Sequence, residues 1–441
     1  MPRVKRENDT FSNMIHTVHQ VKLSNGARGL FIDIPDASVM NFEINFRAGE
    51  YLVEVKKTEA PHLMEHMLLG ANQLIPKSKF FQAEFEKNGA YCNASTGTYD
   101  IVYEAECADF EWHRIAKLLL LAIDKPLFLR EEFNSEFGNV KEELVYLSNN
   151  HFRQLSIAMR QAFGLCAQTD QARVKLMSNV KLKDVRNHYK NTHFTSNMRF
   201  VIGGKLPKER RDQILDHMNK MSMQQGTGRL VLPKENPKRI ENPIFITNDS
   251  VKNLYFYLDT FLKRKMNIVE SYAAQLLNII LTETYYSKIL GTAREKGLAY
   301  NVNSNFHQLN GNTNLWLGVQ ISPENIIGLM DIVVKEFGKV FDGKISQKDI
   351  KAAKQYSLGR FQREGQTVGS IVSTYSTKYF YDQKVYEYFK FPERIEAVKQ
   401  EDIVKVAREL FSQKIWGIGA LGIPNPELIN KVDKKVSKLW A

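Results

Sequence analysis

The sequence predicts an α+β fold in which two homologous domains each pack helices against an antiparallel or mixed sheet. Met40, Phe42, Ile44 and Phe46 alternate with polar residues, as in a half-buried strand, whereas later segments repeat apolar residues at helical spacing. Strands and helices then recur without the regular βαβ alternation of a parallel doubly wound sheet. These patterns favour an α+β architecture over a parallel α/β fold.

The elements of the first half follow from local signals. Strands are predicted at 18–23 and 30–34, because Ser24-Asn25-Gly26 between them is a tight-turn signal. Further along, apolar periodicity predicts helices at 60–69, 77–87, 110–123 and 130–147, with a strand pair at 91–107 that turns near Gly97.

The second half repeats the first with a constant offset. Asp184 and Asp402 each precede a helix, Gly204 and Gly422 each close the strand that follows, and both pairs are 218 residues apart. A pair of long helices separated by a short break also recurs, first at 110–147 and again at 323–362. A period this long indicates two homologous domains. Because the stretch 218–243 is rich in Gln, Gly and Pro, the predicted division is domain 1–217, linker 218–243 and domain 244–441.

Composition limits the possible partners and compartments. The 441 residues carry a net charge of +12, but the basic residues are scattered, and the clusters at 205–211 and 234–239 contain Glu or Pro. A basic nucleic-acid-binding protein is therefore an alternative that lacks a recognition motif, and we expect no nucleic-acid partner. No apolar run reaches the roughly 18 residues of a membrane span, so we expect no membrane partner. Three cysteines favour a reducing, cytoplasmic compartment.

The segment His62-Leu63-Met64-Glu65-His66 carries the strongest chemical signal. On a helix, residues four apart share one face, so His62 and His66 can bind one Zn²⁺. Glu65 lies near the same face, where it can act as a general base on water. The order is that of the inverted His-x-x-Glu-His motif of zinc peptidases.

The segment from Pro61 to Gly70 resembles the active-site helix of the pitrilysin family of zinc metallopeptidases (peptidase family M16), and the resemblance extends over nearly the whole chain. It implies one Zn²⁺ per chain. In the family, the third ligand is a glutamate further along the chain, preceded by another glutamate on the same helix face. Glu143 fits the ligand and Glu136 its supporting partner. Glu142 is the competing ligand, but it would point about 100° away from the face of Glu136.

The resemblance also implies residues that contact the substrate. Gly89 to Thr96 is similar to the family's edge strand, which pairs with an extended peptide, and this makes Asn93, Ala94 and Thr96 the substrate-binding candidates. The segment from Arg294 to Tyr300 resembles the arginine–tyrosine segment that in the family reaches the substrate backbone and the tetrahedral intermediate. Many members have one more residue between the arginine and the tyrosine.

The activity implied by the resemblance is that of a zinc-dependent endopeptidase that cleaves extended peptides in an enclosed chamber. In the family, a chain of this length forms one half of a clamshell. We therefore expect a homodimer, with a heterodimer containing a related metal-free subunit as the alternative. A catalytically weak or scaffold subunit is the other open interpretation, although scaffold subunits commonly lose the motif and this chain keeps Glu65.

Overall fold

In a computed structural model of the chain, the described residues are 13–309 and 311–441, and they form two sheets that are each packed with helices. The predicted α+β class is confirmed. Among the described residues, no helix combines the length and the apolar character needed to span a bilayer. Cys92, Cys107 and Cys166 form no disulfide with one another.

The first sheet has six strands in the order β1-β2-β6-β3-β5-β4. All neighbouring strands are antiparallel except β2 and β6, which are parallel. The bounds are β1 Thr17–Lys22, β2 Arg28–Asp33, β3 Val39–Phe46, β4 Tyr91–Thr96, β5 Ile101–Ala108 and β6 Arg199–Gly204. Strand β4 therefore lies at an edge of the sheet.

Between residues 13 and 219, the structure describes eight α-helices. Their bounds are α1 Ala60–Leu68, α2 Ser78–Glu86, α3 Trp112–Asp124, α4 Arg130–Leu147, α5 His151–Ala162, α6 Asp170–Leu176, α7 Leu182–Thr192 and α8 Lys208–Asn219. The helices predicted at 60–69, 77–87, 110–123 and 130–147 correspond to α1 to α4, within two residues at each end.

The second sheet has five strands in the order β7-β11-β8-β10-β9, with β7 and β11 parallel and the other neighbours antiparallel. The strands are β7 Ile244–Thr247, β8 Leu254–Leu262, β9 Asn303–Leu309, β10 Asn312–Ile321 and β11 Ile415–Gly422. The helices are α9 Ile268–Asn278, α10 Leu290–Glu295, α11 Ile326–Phe341, α12 Gln347–Glu364, α13 Val368–Asp382, α14 Phe391–Ala397, α15 Gln400–Ser412 and α16 Pro426–Val436.

The repeat seen in the sequence has a structural counterpart. The strands β2-β6-β3-β5-β4 and β7-β11-β8-β10-β9 have the same order and the same directions. Asp184 and Asp402 accept hydrogen bonds from the backbone N–H of Lys181 and Lys399, 2.7 and 2.8 Å long, and so cap α7 and α15. A carboxylate at the first turn satisfies an otherwise unpaired N–H, which explains why these positions recur.

The chain divides into two compact units that differ from the predicted domains. The first contains residues up to 143, 173–232 and 360–387, and the second contains 144–172, 233–359 and 388–441. The predicted boundaries at 217 and 243 therefore miss two exchanged segments. The predicted linker also begins too early, because α8 continues to Asn219 and the units separate after Leu232.

Each exchanged segment supplies a helix that covers a sheet. In the second unit, Leu155 and Met159 on the apolar face of α5, and Phe163 directly after it, pack with Phe261 and Leu421 of the sheet. In the first unit, α13 packs on β6 and β3. A Cβ atom at Gly203 of β6 would lie 2.3 Å from Cγ2 of Val372, so glycine permits this close approach. The predicted contiguous domains fail because these helices are distant in sequence from their sheets.

Candidate metal centre

Helix α1 places the two motif histidines on one side of a buried segment. Pro61 lies in its first turn, where its missing N–H costs no helical hydrogen bond. Leu63, Met64, Met67 and Leu68 are fully buried. This apolar packing fixes the helix and leaves the His62 and His66 rings side by side, with their centroids 4.9 Å apart.

Glu143 of α4 meets both rings. One of its oxygens, Oε2, lies 3.4 Å from Nε2 of His62 and 3.4 Å from Nε2 of His66. Potential ligand atoms of His62, His66 and Glu143 all lie within 4.8 Å of one another, as in a group that could hold a metal ion. The competing residue Glu142 is not part of this group. The helical phase that favours Glu143 therefore agrees with the geometry.

The position of α4 relative to α1 is fixed by a second glutamate of α4. Oε1 of Glu132 accepts hydrogen bonds from the backbone N–H of Ala71 and the hydroxyl of Ser78, at 2.7 and 2.6 Å. Ala71 follows α1 and Ser78 begins α2, so Glu132 ties three helices together. This contact holds Glu143, three turns further along α4, opposite the two histidines.

The other nitrogen of each ring contacts a carboxylate. Nδ1 of His66 lies 3.0 Å from Oε2 of Glu136, whose supporting role stays a prediction. Nδ1 of His62 lies 3.1 Å from Oε2 of Glu59. A hydrogen bond from Nδ1–H leaves the lone pair of Nε2 free, and both Nε2 atoms point to the same place. The residues present therefore fit a metal ion bound by two imidazoles and one carboxylate.

Glu59 is a site residue that the sequence did not single out. Its side chain is fully buried, and Arg173 of α6 donates hydrogen bonds to both of its oxygens. Arg173 also forms an ion pair with Glu50, with Nη2 and Oε1 3.0 Å apart. The spacing could have indicated this role, because Glu59 precedes His62 by three residues and so shares a helix face with it.

The electrostatics of the group suit a cation. Burial opposes protonation of His62, but hydrogen bonds with Glu143 and Glu59 raise its pKa to about 9. Burial likewise opposes protonation of His66, and hydrogen bonds with Glu136 and Glu143 raise its pKa to about 10. Hydrogen bonds with the two histidines hold the pKa of Glu143 far below its ordinary value. Positive charge is thus favoured between these three side chains. A metal ion therefore competes with protons for the two histidine Nε2 atoms and the Glu143 carboxylate.

Glu65 is buried beside the two histidines. Its Oε2 accepts a 3.0 Å hydrogen bond from the hydroxyl of Thr96, at the end of the edge strand β4. Burial raises the pKa of Glu65, while the neighbouring histidines and the Thr96 hydroxyl partly oppose that rise. The contact with Thr96 joins the predicted base to the strand predicted to bind substrate.

The side chains of β4 alternate between the two faces of the sheet. Thr96 contacts Glu65 of α1, whereas Tyr91 donates a 3.4 Å hydrogen bond to Glu104 on the opposite face. By this alternation Ala94 shares the face of Thr96, and Asn93 faces away from Glu65. The structure therefore does not bring the Asn93 side chain to the predicted base. Its role in substrate binding stays a prediction.

Arg294 and Tyr300 both belong to the second unit. Nη1 of Arg294 donates a 2.6 Å hydrogen bond to the backbone oxygen of Tyr300. The guanidinium also lies over the rings of Tyr285 and Tyr300, 4.5 and 4.7 Å from their centroids. The Tyr300 side chain is 81% exposed and so is accessible to a partner. The shorter spacing to Arg294 does not separate the two residues, and their catalytic role stays a prediction.

Comparison with known families agrees with this arrangement. Residues 48–170 match the family described as insulinase (peptidase family M16), and residues 179–356 match the peptidase M16 inactive domain. The group formed by His62, His66 and Glu143 lies entirely within the first match. The second match, to an inactive domain, begins in the first predicted domain and extends over part of the second.

Solved structures show the same fold at low sequence identity. A protease from Helicobacter pylori is 17% identical, with a TM-score of 0.81, over 92% of this chain and 100% of that chain. A peptidase M16 inactive domain from Pseudomonas fluorescens is 16% identical, also with a TM-score of 0.81, over 93% of this chain and 98% of that chain. At these identities the likeness concerns the fold alone.

Proposed function

The chain belongs to peptidase family M16, and on that premise we propose that it is a zinc-dependent endopeptidase acting on extended peptides. The observation that carries the proposal is the convergence of His62, His66 and Glu143, with Glu65 buried beside them. His62 and His66 would bind Zn²⁺ through Nε2 and Glu143 through a carboxylate oxygen. When bound, Zn²⁺ would supply Lewis-acid polarisation of the scissile carbonyl and a water of lowered pKa.

The reaction needs a group that moves protons, and Glu65 is placed for that role. We propose that a carboxylate oxygen of Glu65 accepts a proton from the attacking water and then delivers it to the leaving amine. The 3.0 Å hydrogen bond from Thr96 orients the Glu65 carboxylate, and the surrounding burial limits competing contacts with bulk water.

The substrate would add to the edge strand β4. An edge strand carries unpaired backbone N–H and C=O groups, and an extended peptide satisfies them by pairing as a further strand. Because Thr96 ends β4 and also contacts Glu65, a peptide paired along this strand would pass close to the proposed base. In this proposal Asn93, Ala94, Arg294 and Tyr300 serve substrate positioning.

We propose a homodimer as the working form, with a heterodimer containing a metal-free relative as the alternative. The basis is that one chain carries both the group around His62 and the exposed Tyr300 segment, which the family uses together. Light scattering of the isolated full-length chain tests the proposal, and a stable monomer with full activity would contradict both forms.

The deciding experiment compares the wild type with Glu65→Gln. Zinc content is measured by elemental analysis, and cleavage is measured with a library of quenched fluorescent peptides. We expect both proteins to hold one zinc per chain and only the wild type to cleave. A wild type that binds no zinc, or a variant that cleaves equally well, would overturn the proposal. Retained zinc with no wild-type cleavage would favour a scaffold subunit.

A further inference from the structure

His113 and His217 form a second pair of converging imidazoles, away from the group on α1. His113 is the second residue of α3, His217 lies in the last turn of α8, and both belong to the first unit. Their Nε2 atoms are 3.4 Å apart, and their ring planes are inclined at 43°. Two separate helices thus direct the same ring nitrogen to one point.

The separation of these nitrogens is that of two ligands on one metal ion. Zn–N bonds of about 2.0–2.1 Å at a tetrahedral angle place two ligand nitrogens about 3.4 Å apart. The same 3.4 Å separates Oε2 of Glu143 from each histidine Nε2 in the candidate metal centre. Without an ion, the two nitrogens lie within reach of a long N–H···N hydrogen bond with each other, so metal binding would replace this contact.

The surroundings of the two rings leave room for water. A cavity of about 740 Å³, open to solvent, lies beside the rings, and α8 lines it with charged and polar side chains: Lys208, Glu209, Asp212, Gln213 and Asp216. Asp216 is held by Lys220 and Asp212 by Lys208, each through a 2.6 Å contact on the surface of α8. Partial burial and the charge of Lys117 lower the pKa of both His113 and His217, so neutral imidazoles prevail at neutral pH.

We propose that His113 and His217 form an accessory binding site for a transition-metal dication between α3 and α8. The two Nε2 atoms supply two ligands, and water in the adjoining cavity completes the coordination. Imidazole ligands suit Zn²⁺, Ni²⁺ and Cu²⁺, and Cu²⁺ binds most tightly in this series. With two protein ligands, the site binds metal more weakly than a three-ligand centre and fills when metal is in excess.

The charge of Lys117 beside the site allows a second test of the proposal. Lys117 follows His113 by one helical turn and so lies on the same face of α3. Its ammonium group repels a dication at the pair. Lys117→Gln removes that repulsion and keeps a polar side chain of similar length, so the accessory site should bind metal more tightly.

The test counts metal ions bound to the full-length protein. Metal-free protein is titrated with Cu²⁺, and the stoichiometry is compared among wild type, His113→Gln, His217→Gln and the control His19→Gln, a histidine outside the pair. The expected result is one fewer ion per chain in each pair variant and an unchanged count in the control. The measured quantity is the number of ions lost relative to wild type. Any ion bound at the α1 group is present in all four proteins and therefore cancels.

A spectroscopic measurement locates the ion. Wild-type protein preloaded with one equivalent of Zn²⁺ receives one equivalent of Cu²⁺, and the electron paramagnetic resonance spectrum should show coupling to two imidazole nitrogens. Because His62 and His66 also offer two imidazoles to Cu²⁺, the assignment rests on the difference between wild type and His217→Gln. The spectrum should lose that coupling in His217→Gln, and Lys117→Gln should lower the dissociation constant several-fold. Equal stoichiometry in all variants, a two-nitrogen signal of equal size in wild type and His217→Gln, or weaker binding in Lys117→Gln would each overturn the proposal.

Discussion

Arg173 and Glu59 form a buried ion pair directly behind one of the proposed zinc ligands. Arg173 donates to both oxygens of Glu59, and Oε2 of Glu59 lies 3.1 Å from Nδ1 of His62. The guanidinium, the carboxylate and the imidazole therefore form a continuous chain that ends at Nε2 of His62. The orientation of this ligand is set by a residue 114 positions away from Glu59 in the sequence.

Removing the charge of Glu59 from this series of contacts should weaken metal binding. Glu59→Gln loses the carboxylate that fixes the His62 ring, and loss of such a supporting contact typically lowers metal affinity by about 10–100-fold. Competition with a fluorescent zinc chelator measures the change. Glu136→Gln, which alters the corresponding contact of His66, should give a loss of the same order.

Arg173→Met should lower stability more than Glu59→Gln, because it removes the cation that pairs with the buried carboxylate of Glu59 and the half-buried carboxylate of Glu50. The expected loss of stability is about 3–5 kcal/mol, measured by denaturant unfolding. Lys208→Gln breaks a surface pair with Asp212 and should change stability by less than about 1 kcal/mol. If Arg173→Met and Lys208→Gln lowered stability equally, the importance of the buried pair would be contradicted.

The hydroxyl of Thr96 should matter for catalysis rather than for folding. Thr96→Val keeps the branched shape but removes the donor to Glu65, and we expect kcat/KM to fall about tenfold, as for the loss of one hydrogen bond to a charged group. Peptide cleavage measures the fall, while zinc content should stay unchanged. Thr96→Ser retains the hydroxyl and should recover most of the rate. Equal losses in both variants would instead indicate a packing defect.

A buried carboxyl in the second sheet should make stability depend on pH. Burial raises the pKa of Asp259 in β8 to about 8, despite hydrogen bonds from Asn314 that favour the charged form. Because the folded state holds this proton more tightly than the unfolded chain, its contribution is fully present below about pH 4 and is lost as pH rises to about 8. The expected slope reaches about 1.4 kcal/mol per pH unit.

Asp259→Asn should remove this dependence, since an amide cannot ionise and its oxygen still accepts from Asn314. Urea unfolding at pH 5, 6.5 and 8, with a chelator present to exclude metal effects, measures the difference. The variant should be more stable than wild type at pH 8 by about 2–5 kcal/mol. The exposed control Asp249→Asn should leave the wild-type slope intact. A wild type whose stability does not fall from pH 6.5 to pH 8 would contradict the prediction.

Two glycines near the site should respond to alanine in opposite ways. A Cβ at Gly49 would lie 2.4 Å from the backbone oxygen of Gly97, so Gly49→Ala forces apart the turn that follows Thr96 and should cost about 1–3 kcal/mol. Gly138 lies inside α4, and a Cβ there meets no atom within 4 Å. Gly138→Ala should therefore stabilise the protein by about 0.5–1 kcal/mol. Thermal unfolding distinguishes the two outcomes.

The local part of the site could be read from the sequence. His62, Glu65 and His66 lie within one helical turn, and the preference for Glu143 over Glu142 follows from helical phase. The contacts of Glu59 with Arg173 and of His113 with His217 could not be predicted, because they join positions more than 100 residues apart. No periodicity encodes such pairs, since they depend on which helices pack together.

The same distinction applies to the fold. Alternation and apolar periodicity predicted the helices and strands between residues 18 and 147 to within about two residues, and the 218-residue offset revealed the repeat. Helices α5, α6 and α8 were not predicted. The exchange of 144–172 and 360–387 between units escaped prediction. An apolar helix face such as that of Leu155, Met159 and Phe163 shows that a helix is covered, but it does not specify which sheet covers it.

The exchange of α5 and α13 bears on the order in which the chain can fold during synthesis. The last strand of the first unit's sheet ends at residue 204. Helix α13, which covers one face of this sheet, begins only at Val368. Until then apolar surface on β6 and β3 stays exposed on the ribosome, which favours collapse with wrong partners or capture by chaperones. A fragment ending after the first repeat would have the proposed catalytic residues and still lack the cover that stabilises their sheet.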